Sequence, residues 1–233
     1  MTGALPPPRA GTPTGPSRLP PRQVLADDVY EAVKALVMDH VIAPGARVSI
    51  DGLARELGVS QTPIREALAR LESDGLVTKA PLRGYSATPL LTRSEVDDLF
   101  QFRLLVEPWA AARAAELATR DDHTRIAAEI ASCPEAPPSD AYEAYKALAA
   151  HDSRFHGLLA GLAGNQQLRL ALERTHCHLH IFRLYSAGGG GMQTLDEHRK
   201  IAAAVTRGSA SAAEVAMREH LESARDRLRA TFD

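Results

Sequence analysis

Cysteine is nearly absent from the chain: Cys133 and Cys177 are the only two in 233 residues. That excludes a disulfide-framed secreted scaffold and a cysteine-only metal cluster. No apolar run reaches the roughly 18 residues of a membrane span, and the N-terminus lacks the apolar core of a signal peptide. An excess of one charge is missing too, with a formal net charge of −2. Bulk charge therefore marks no nucleic-acid binder, yet excludes none, because DNA is read by a local basic face. A reduced, cytoplasmic protein with no membrane partner is expected. Proline is not scarce but uneven: seven of the fifteen fall within residues 1–22, where the charged side chains are Arg9, Arg18 and Arg22. Such a segment buries too little apolar surface to offset its ordering entropy, so residues 1–22 are expected to be a disordered tail.

What remains is long enough for two small domains with proper cores. Val24, Leu25, Val29, Val33, Leu36 and Val37 recur at helical spacing up to about Val41, where Ala43-Pro44-Gly45 stops the helix. Ser49 and Asp51 start a second, short helix that ends at Gly58, and Ser60 caps a third that has Pro63 in its first turn and runs to about Asp74. Leu76–Lys79 and Tyr85–Thr88, joined by Pro81-Leu82-Arg83-Gly84, read as a two-stranded hairpin. Helix, short helix, tight turn, helix, hairpin is the order of a winged helix-turn-helix over residues 23–90. The helix from Ser60 would enter the major groove with Gln61, Thr62 and Arg65 at its front, and Gln and Arg pair bidentately with adenine and guanine. Arg47, Arg55 and Arg70 are placed to neutralise phosphates, and the tip Arg83-Gly84 to contact the minor groove or backbone. The competing reading is a helical domain with a solvated arginine face.

From Pro89 the chain reads as almost continuous helix: one helix from Thr92 and Ser94 through Val106, then alanine-rich segments over 109–132, 141–163, 165–186, 194–207 and 210–230. The fold class is thus mainly α, an N-terminal winged helix-turn-helix followed by an all-helical antiparallel bundle over residues 91–233. No strand–helix alternation suggests a parallel sheet.

Nine histidines occur. Asp152 and His156, four apart, share one helix face. His198 and His220 lie on two helices joined by the short link Arg207-Gly208-Ser209, at a similar setback from it, which would bring both to one level. Three His and one Asp suit Zn²⁺, Ni²⁺, Mn²⁺ or Fe²⁺, with Zn²⁺ the working choice. His176-Cys177-His178-Leu179-His180 competes for a metal, but alternating residues fan out around a helix.

The run from Ile50-Asp51-Gly52-Leu53-Ala54-Arg55-Glu56-Leu57-Gly58-Val59-Ser60-Gln61-Thr62-Pro63-Ile64-Arg65-Glu66-Ala67-Leu68 to Gly75-Leu76-Val77 resembles the winged helix of the GntR family of bacterial transcription regulators. The family often has arginine where this chain has Gln61, a departure that leaves the operator sequence open, though not the binding itself. The second half resembles the FCD domain of the FadR-like GntR subgroup, on Arg103-Leu104-Leu105-Val106-Glu107-Pro108, Asp152-Ser153-Arg154-Phe155-His156, Glu197-His198-Arg199-Lys200-Ile201 and Met217-Arg218-Glu219-His220-Leu221. The resemblance implies a homodimer on near-palindromic operator DNA, with repression the first reading. It further implies one divalent ion held by Asp152, His156, His198 and His220, and a small organic acid bound beside it. Thr194 is four before His198, and Arg227 shares the face of His220. Arg103, in the family's Arg-x-x-x-Glu pattern, and Arg227 are therefore expected to clamp the acid's carboxylates, with Thr194 giving a hydroxyl and Arg183 and Tyr185 as further contacts. A structural pair of Arg103 with Glu107 is the alternative for that arginine. Two other functions fit the same donors: a helical metalloenzyme acting on a small carboxylate, and a metal sensor with no organic ligand. No general base stands at a fixed offset, as in His-Glu-x-x-His, to favour the enzyme.

Overall fold

In the computed structural model, residues 22–135, 141–184 and 191–232 are described. The proline-rich tail through residue 21 and Tyr185 lie outside them. Helix α1 (Arg22–Met38) buries Val29, Val33 and Val37, one per turn, against α3 (Gln61–Ser73), which returns Ile64, Leu68 and Leu71. The chain leaves α1 earlier than its apolar spacing suggests. His40 takes a left-handed φ of 58°, and the Ile42 N–H turns back to the Leu36 carbonyl at 2.9 Å. Helix α2 (Ile50–Glu56) is capped as expected, Ser49 Oγ accepting the Gly52 N–H at 3.0 Å. Gly58, at φ +65°, makes the turn into α3.

The hairpin strands β2 (Val77–Ala80) and β3 (Gly84–Ala87) form, with Val77 opposite Ala87 and Lys79 opposite Tyr85. The sheet is nevertheless three-stranded, in the order β1-β3-β2, because β1 (Arg47–Val48) pairs antiparallel with β3. Two residues carry no readable alternation, so this strand leaves no signal in the sequence.

Helix α4 (Arg93–Leu117) opens on a Thr92–Glu95 capping box and continues through Pro108 rather than ending near Val106. Proline removes one donor at the cost of one helical bond. Burial of Ala110, Ala111, Ala114 and Ala115 beyond it holds the helix together. The real break is Ala118-Thr119, where a Thr119–Asp122 box starts α5 (Arg120–Ala131). Helix α6 (Tyr142–Leu162) follows. The segment expected as one helix over 165–186 divides into α7 (Gln166–Arg174) and α8 (Cys177–Phe182) at His176, whose φ is +47°. Helices α9 (Gly191–Thr206) and α10 (Ala210–Arg229) form a hairpin through Gly208, with α10 lying along α4.

Two cores result. One joins the winged helix to Tyr142, Tyr145, Phe182 and Leu195 of the helical half; the other packs Phe100, Phe155, Ile201, Met217, Leu221 and Leu228. His180 sits between the halves, where burial and the nearby Arg183 charge push it down to about 4. A histidine depressed on folding stays neutral while the unfolded chain takes up protons. Its contribution is complete above the unfolded value of 6.5 and is lost as pH falls toward 4. The melting temperature of the wild type is therefore expected to fall more steeply between pH 6.5 and 4 than that of His180→Gln. Parallel curves would show that His180 protonates as easily folded as unfolded.

Candidate metal centre and nucleic-acid interface

The front of α3 faces solvent. Gln61, Thr62 and Arg65 are exposed, and Ser60 is the N-cap but makes no side-chain capping bond. Gln61 Nε2 donates to Asp51 Oδ1 at 2.5 Å, and its Oε1 accepts from Arg65 Nη2 at 3.1 Å. The groups expected to read bases are thus ordered against one another at an exposed helix front. Arg55 is exposed and donates to the Asp51 carbonyl at 3.3 Å. Arg47, Arg83 and Gly84 are exposed along the wing. Arg70 has partners on α1: it stacks over Tyr30 at 4.0 Å from the ring centroid and pairs with Asp27 at 2.6 Å, with 48% of its side chain still exposed.

In the helical half, α6 brings in Asp152 and His156, and the α9–α10 hairpin brings in His198 and His220. One ligand-type atom from each lies within 4.8 Å of all the others, and all four residues are buried. The Nε2 atoms of His156 and His220 are 3.2 Å apart, and Asp152 Oδ1 lies 3.5 Å from His198 Nε2 and 3.8 Å from His156 Nε2. Each imidazole is held from behind through Nδ1. That of His156 donates to Glu107, that of His220 to Glu197 Oε2 at 2.7 Å, and that of His198 to His151 Nε2 at 3.0 Å. His151 passes the chain on to Glu129 Oε1 at 2.9 Å, where Arg154 also binds. Such partners fix the tautomer and leave the Nε2 lone pairs facing inward. Phe155 stacks on His198 at 4.3 Å between centroids and closes one side.

The charges agree with this arrangement. Burial pushes His156 down to about 4 despite Glu107, and burial with the neighbouring His220 drives His198 well below its ordinary value. Burial alone would raise Asp152, but His178, whose Nδ1 donates to Oδ2 at 2.5 Å, and the nearby imidazoles hold it well below the carboxylate range. His156 and His198 are thus neutral imidazoles beside one carboxylate, the ionisation state that metal ligands require. With Nδ1 of His156 and His220 donating outward, two lone pairs meet at 3.2 Å with no proton between them in the neutral state. His198 Nε2 is buried without a hydrogen-bond partner among the described residues. A cation resolves both features, so the residues fit a divalent ion.

The arginines expected as carboxylate clamps stand beside the centre with partners of their own. Arg103, buried, donates from Nε to Glu107 Oε1 at 2.5 Å, the structural pairing weighed above. Arg227 grips Glu197 with both terminal nitrogens, at 3.1 and 3.2 Å, and reaches Thr194 Oγ1 at 3.3 Å. Arg183 is elsewhere engaged: Nη2 donates to the Thr88 carbonyl at 2.7 Å. Spacing did not reveal Glu197, His151 and Glu129 as partners of the donors, placed His178 only in the competing histidine cluster, and gave Glu107 only as a partner for Arg103. The available signal was proximity, since His151 and Glu197 immediately precede two of the converging donors, Asp152 and His198.

Residues 98–223 match the FCD domain, and residues 25–86 match the model of bacterial regulatory proteins, gntR family. The HTH-type transcriptional regulator YdhC of Bacillus subtilis is 28% identical over 174 residues, 74% of this chain and 76% of that one. LutR, an HTH-type transcriptional regulator from the same organism, is 28% identical over 221 residues, 85% and 98% of the two chains. Among solved structures, E. coli McbR/YncC superposes with a TM-score of 0.66 at 20% identity, covering 90% of this chain and 99% of that one. A GntR regulator from Rhodococcus gives 0.62 at 24% identity, covering 87% and 96%. Both structures speak for the fold. The families and relatives are transcription regulators, not enzymes.

Proposed function

The chain belongs to the gntR family of bacterial regulatory proteins and carries its FCD domain, and on that premise we propose that this transcriptional regulator senses a small organic acid at a divalent metal centre. Residues 23–90 bind operator DNA, and residues 91–233 bind metal and effector. The observation that carries the reading is the convergence of Asp152, His156, His198 and His220 within 4.8 Å, each imidazole braced through its other nitrogen. Zn²⁺ suits this donor set, with Ni²⁺, Mn²⁺ and Fe²⁺ as alternatives. When bound, such an ion supplies net positive charge that attracts a carboxylate. Arg103 and Arg227 flank the place where the acid would lie, and Thr194 offers a hydroxyl beside Arg227. To receive a carboxylate, these guanidiniums share or release Glu107 and Glu197. No membrane-length apolar helix exists among the described residues, and a cytoplasmic DNA-bound homodimer suits the family.

Two copies on a near-palindrome place each α3 in a major groove one helical turn apart. Gln61, Thr62 and Arg65 read bases; Arg55, Arg83 and Gly84 set the backbone register. A specific reason favours a second reading, a metal sensor without organic ligand: both expected clamp arginines already bind carboxylates of the chain.

The test is titration of the gene's own upstream DNA with metal-loaded and chelator-stripped protein, with and without candidate acids, after elemental analysis and native mass spectrometry. One divalent ion per chain and acid-dependent affinity are expected. Arg65→Ala is expected to weaken specific binding by about 1–3 kcal/mol with the fold intact. Undiminished binding would remove α3 from base reading, and a metal response without an acid response would favour the second reading.

A further inference from the structure

Helix α8 touches both the candidate centre and the DNA-reading module, and it does so through the histidine run that supplies none of the four converging donors. His178 donates to Asp152 Oδ2 at 2.5 Å. Two residues turn a helix by about 200°, so His180 points away from His178. There it meets Gly75, the corner between α3 and β2. A methyl built on Gly75 would come within 3.2 Å of both His180 Nε2 and His176 Cδ2. The C-terminal end of α8 holds the same corner. Arg183 Nη2 donates to the Thr88 carbonyl at 2.7 Å, while Thr88 donates from Oγ1 to the Gly75 carbonyl at 2.7 Å and from its N–H to Leu76 at 3.0 Å. Arg183 is buried, and its Nε and Nη1 have no hydrogen-bond partner among the described residues. A guanidinium held there at such expense is not incidental packing.

We propose that α8 is the lever between the centre and the recognition helix: His178 positions Asp152 on one face, while His176, His180 and Arg183 grip the Gly75–Thr88 corner on the other. This rests on Asp152 serving the metal centre. Two features let the lever move as a unit. Its N-terminal hinge is His176, at φ +47°, a conformation that costs a non-glycine residue energy. Beside it lies a cavity of about 180 Å³, bordered by Asp74, Ser153, Gly157, Glu173 and His178, into which the helix can shift. Moving Asp152 thus moves His178, and with it the end of α3. Coupling of this kind requires that a ligand favour one position of the helix.

Hydrogen exchange with mass readout on the full chain, chelator-stripped against Zn²⁺-loaded, tests the lever without knowing the effector or operator. In wild type, Zn²⁺ is expected to slow exchange about tenfold in peptides covering 71–78, as well as at the centre. His178→Ala, at saturating Zn²⁺ verified by native mass spectrometry, keeps protection at the centre and loses it at 71–78. His178→Asn, whose amide can replace the Nδ1 donor, restores it, which a merely structural loss would not allow. His176→Gly with His180→Ala, glycine being suited to the hinge, leaves Zn²⁺ affinity within twofold and abolishes the response at 71–78. Zn²⁺ bound with 71–78 unchanged in wild type, or still protected in His178→Ala, overturns the lever alone. Failure of wild type to bind Zn²⁺ or any other divalent ion overturns the metal reading and the lever with it.

Discussion

Replacing His198 and His220 together by alanine is expected to reduce bound divalent metal from one ion per chain to background. Both side chains are buried, both offer Nε2 to the same small volume, and each comes from one arm of the α9–α10 hairpin. Asp152 and His156 then remain as two donors on one helix, too few for tight retention. Operator binding is expected to persist, because Gln61, Thr62 and Arg65 lie on a different element with a different core. A wild-type helical circular dichroism spectrum shows that the helical half of the variant folds. A ligand present at 100 times its Kd stabilises the native state by about 2.7 kcal/mol, so the melting difference between loaded and stripped wild type should vanish in the variant. Plasma emission on the purified double variant decides the matter, and full metal occupancy would remove these histidines from the centre.

Glu107→Ala is expected to destabilise the protein by about 3–5 kcal/mol, the usual consequence of stranding one partner of a buried ion pair. Glu107 is 2% exposed and stands between two groups: Arg103, itself 2% exposed, and Nδ1 of His156. Arg103 has every reason to stay charged, since burial works against it but the Glu107 carboxylate overrides burial and raises its value. The arginine left behind is thus an uncompensated charge. The measurement is urea unfolding, read as a lower midpoint at unchanged slope. Arg103→Met with Glu107→Leu should recover much of the loss, because a well-packed apolar pair replaces a buried salt bridge at little cost. Metal affinity should stay about 10–100-fold weaker in both variants, since His156 has lost its brace. A Glu107→Ala unfolding free energy within about 1 kcal/mol of wild type would contradict the assignment.

The sequence was most legible where one element carries the signal. Ser49, Gly58 and Ser60 mark the helix-turn-helix because caps and left-handed turns are local chemistry, and the structure has α2, the turn and α3 where these residues predict them. Asp152 and His156 share a face for the same reason, and Gly208 announces the hairpin that brings His198 to His220. Breaks at positions that tertiary packing decides were not legible. Pro108 looks like an end but is bridged by burial against α10, while His176 looks helical yet divides α7 from α8. The partners of the arginines were hidden as well. The 2.5 Å bond from Arg103 to Glu107 follows from an i,i+4 pattern, but the reach of Glu107 to His156 depends on how α4 packs on α6. Glu129, which ends the chain from His198 through His151, is 69 residues from the ligand it supports, a distance no spacing rule spans.

The four donors also divide along the chain into two local pairs, one within a single helix and one across a tight helical hairpin. Each pair assembles from neighbours close in sequence, the kind of contact that forms early because little loop entropy opposes it. During synthesis the Asp152–His156 pair leaves the ribosome first, and the His198–His220 pair follows. Neither pair alone offers enough donors to retain an ion, so tight metal binding waits until α6 and the α9–α10 hairpin have docked. On the proposed reading, metal capture thus marks the docking of the two pairs, a step that precedes any effector.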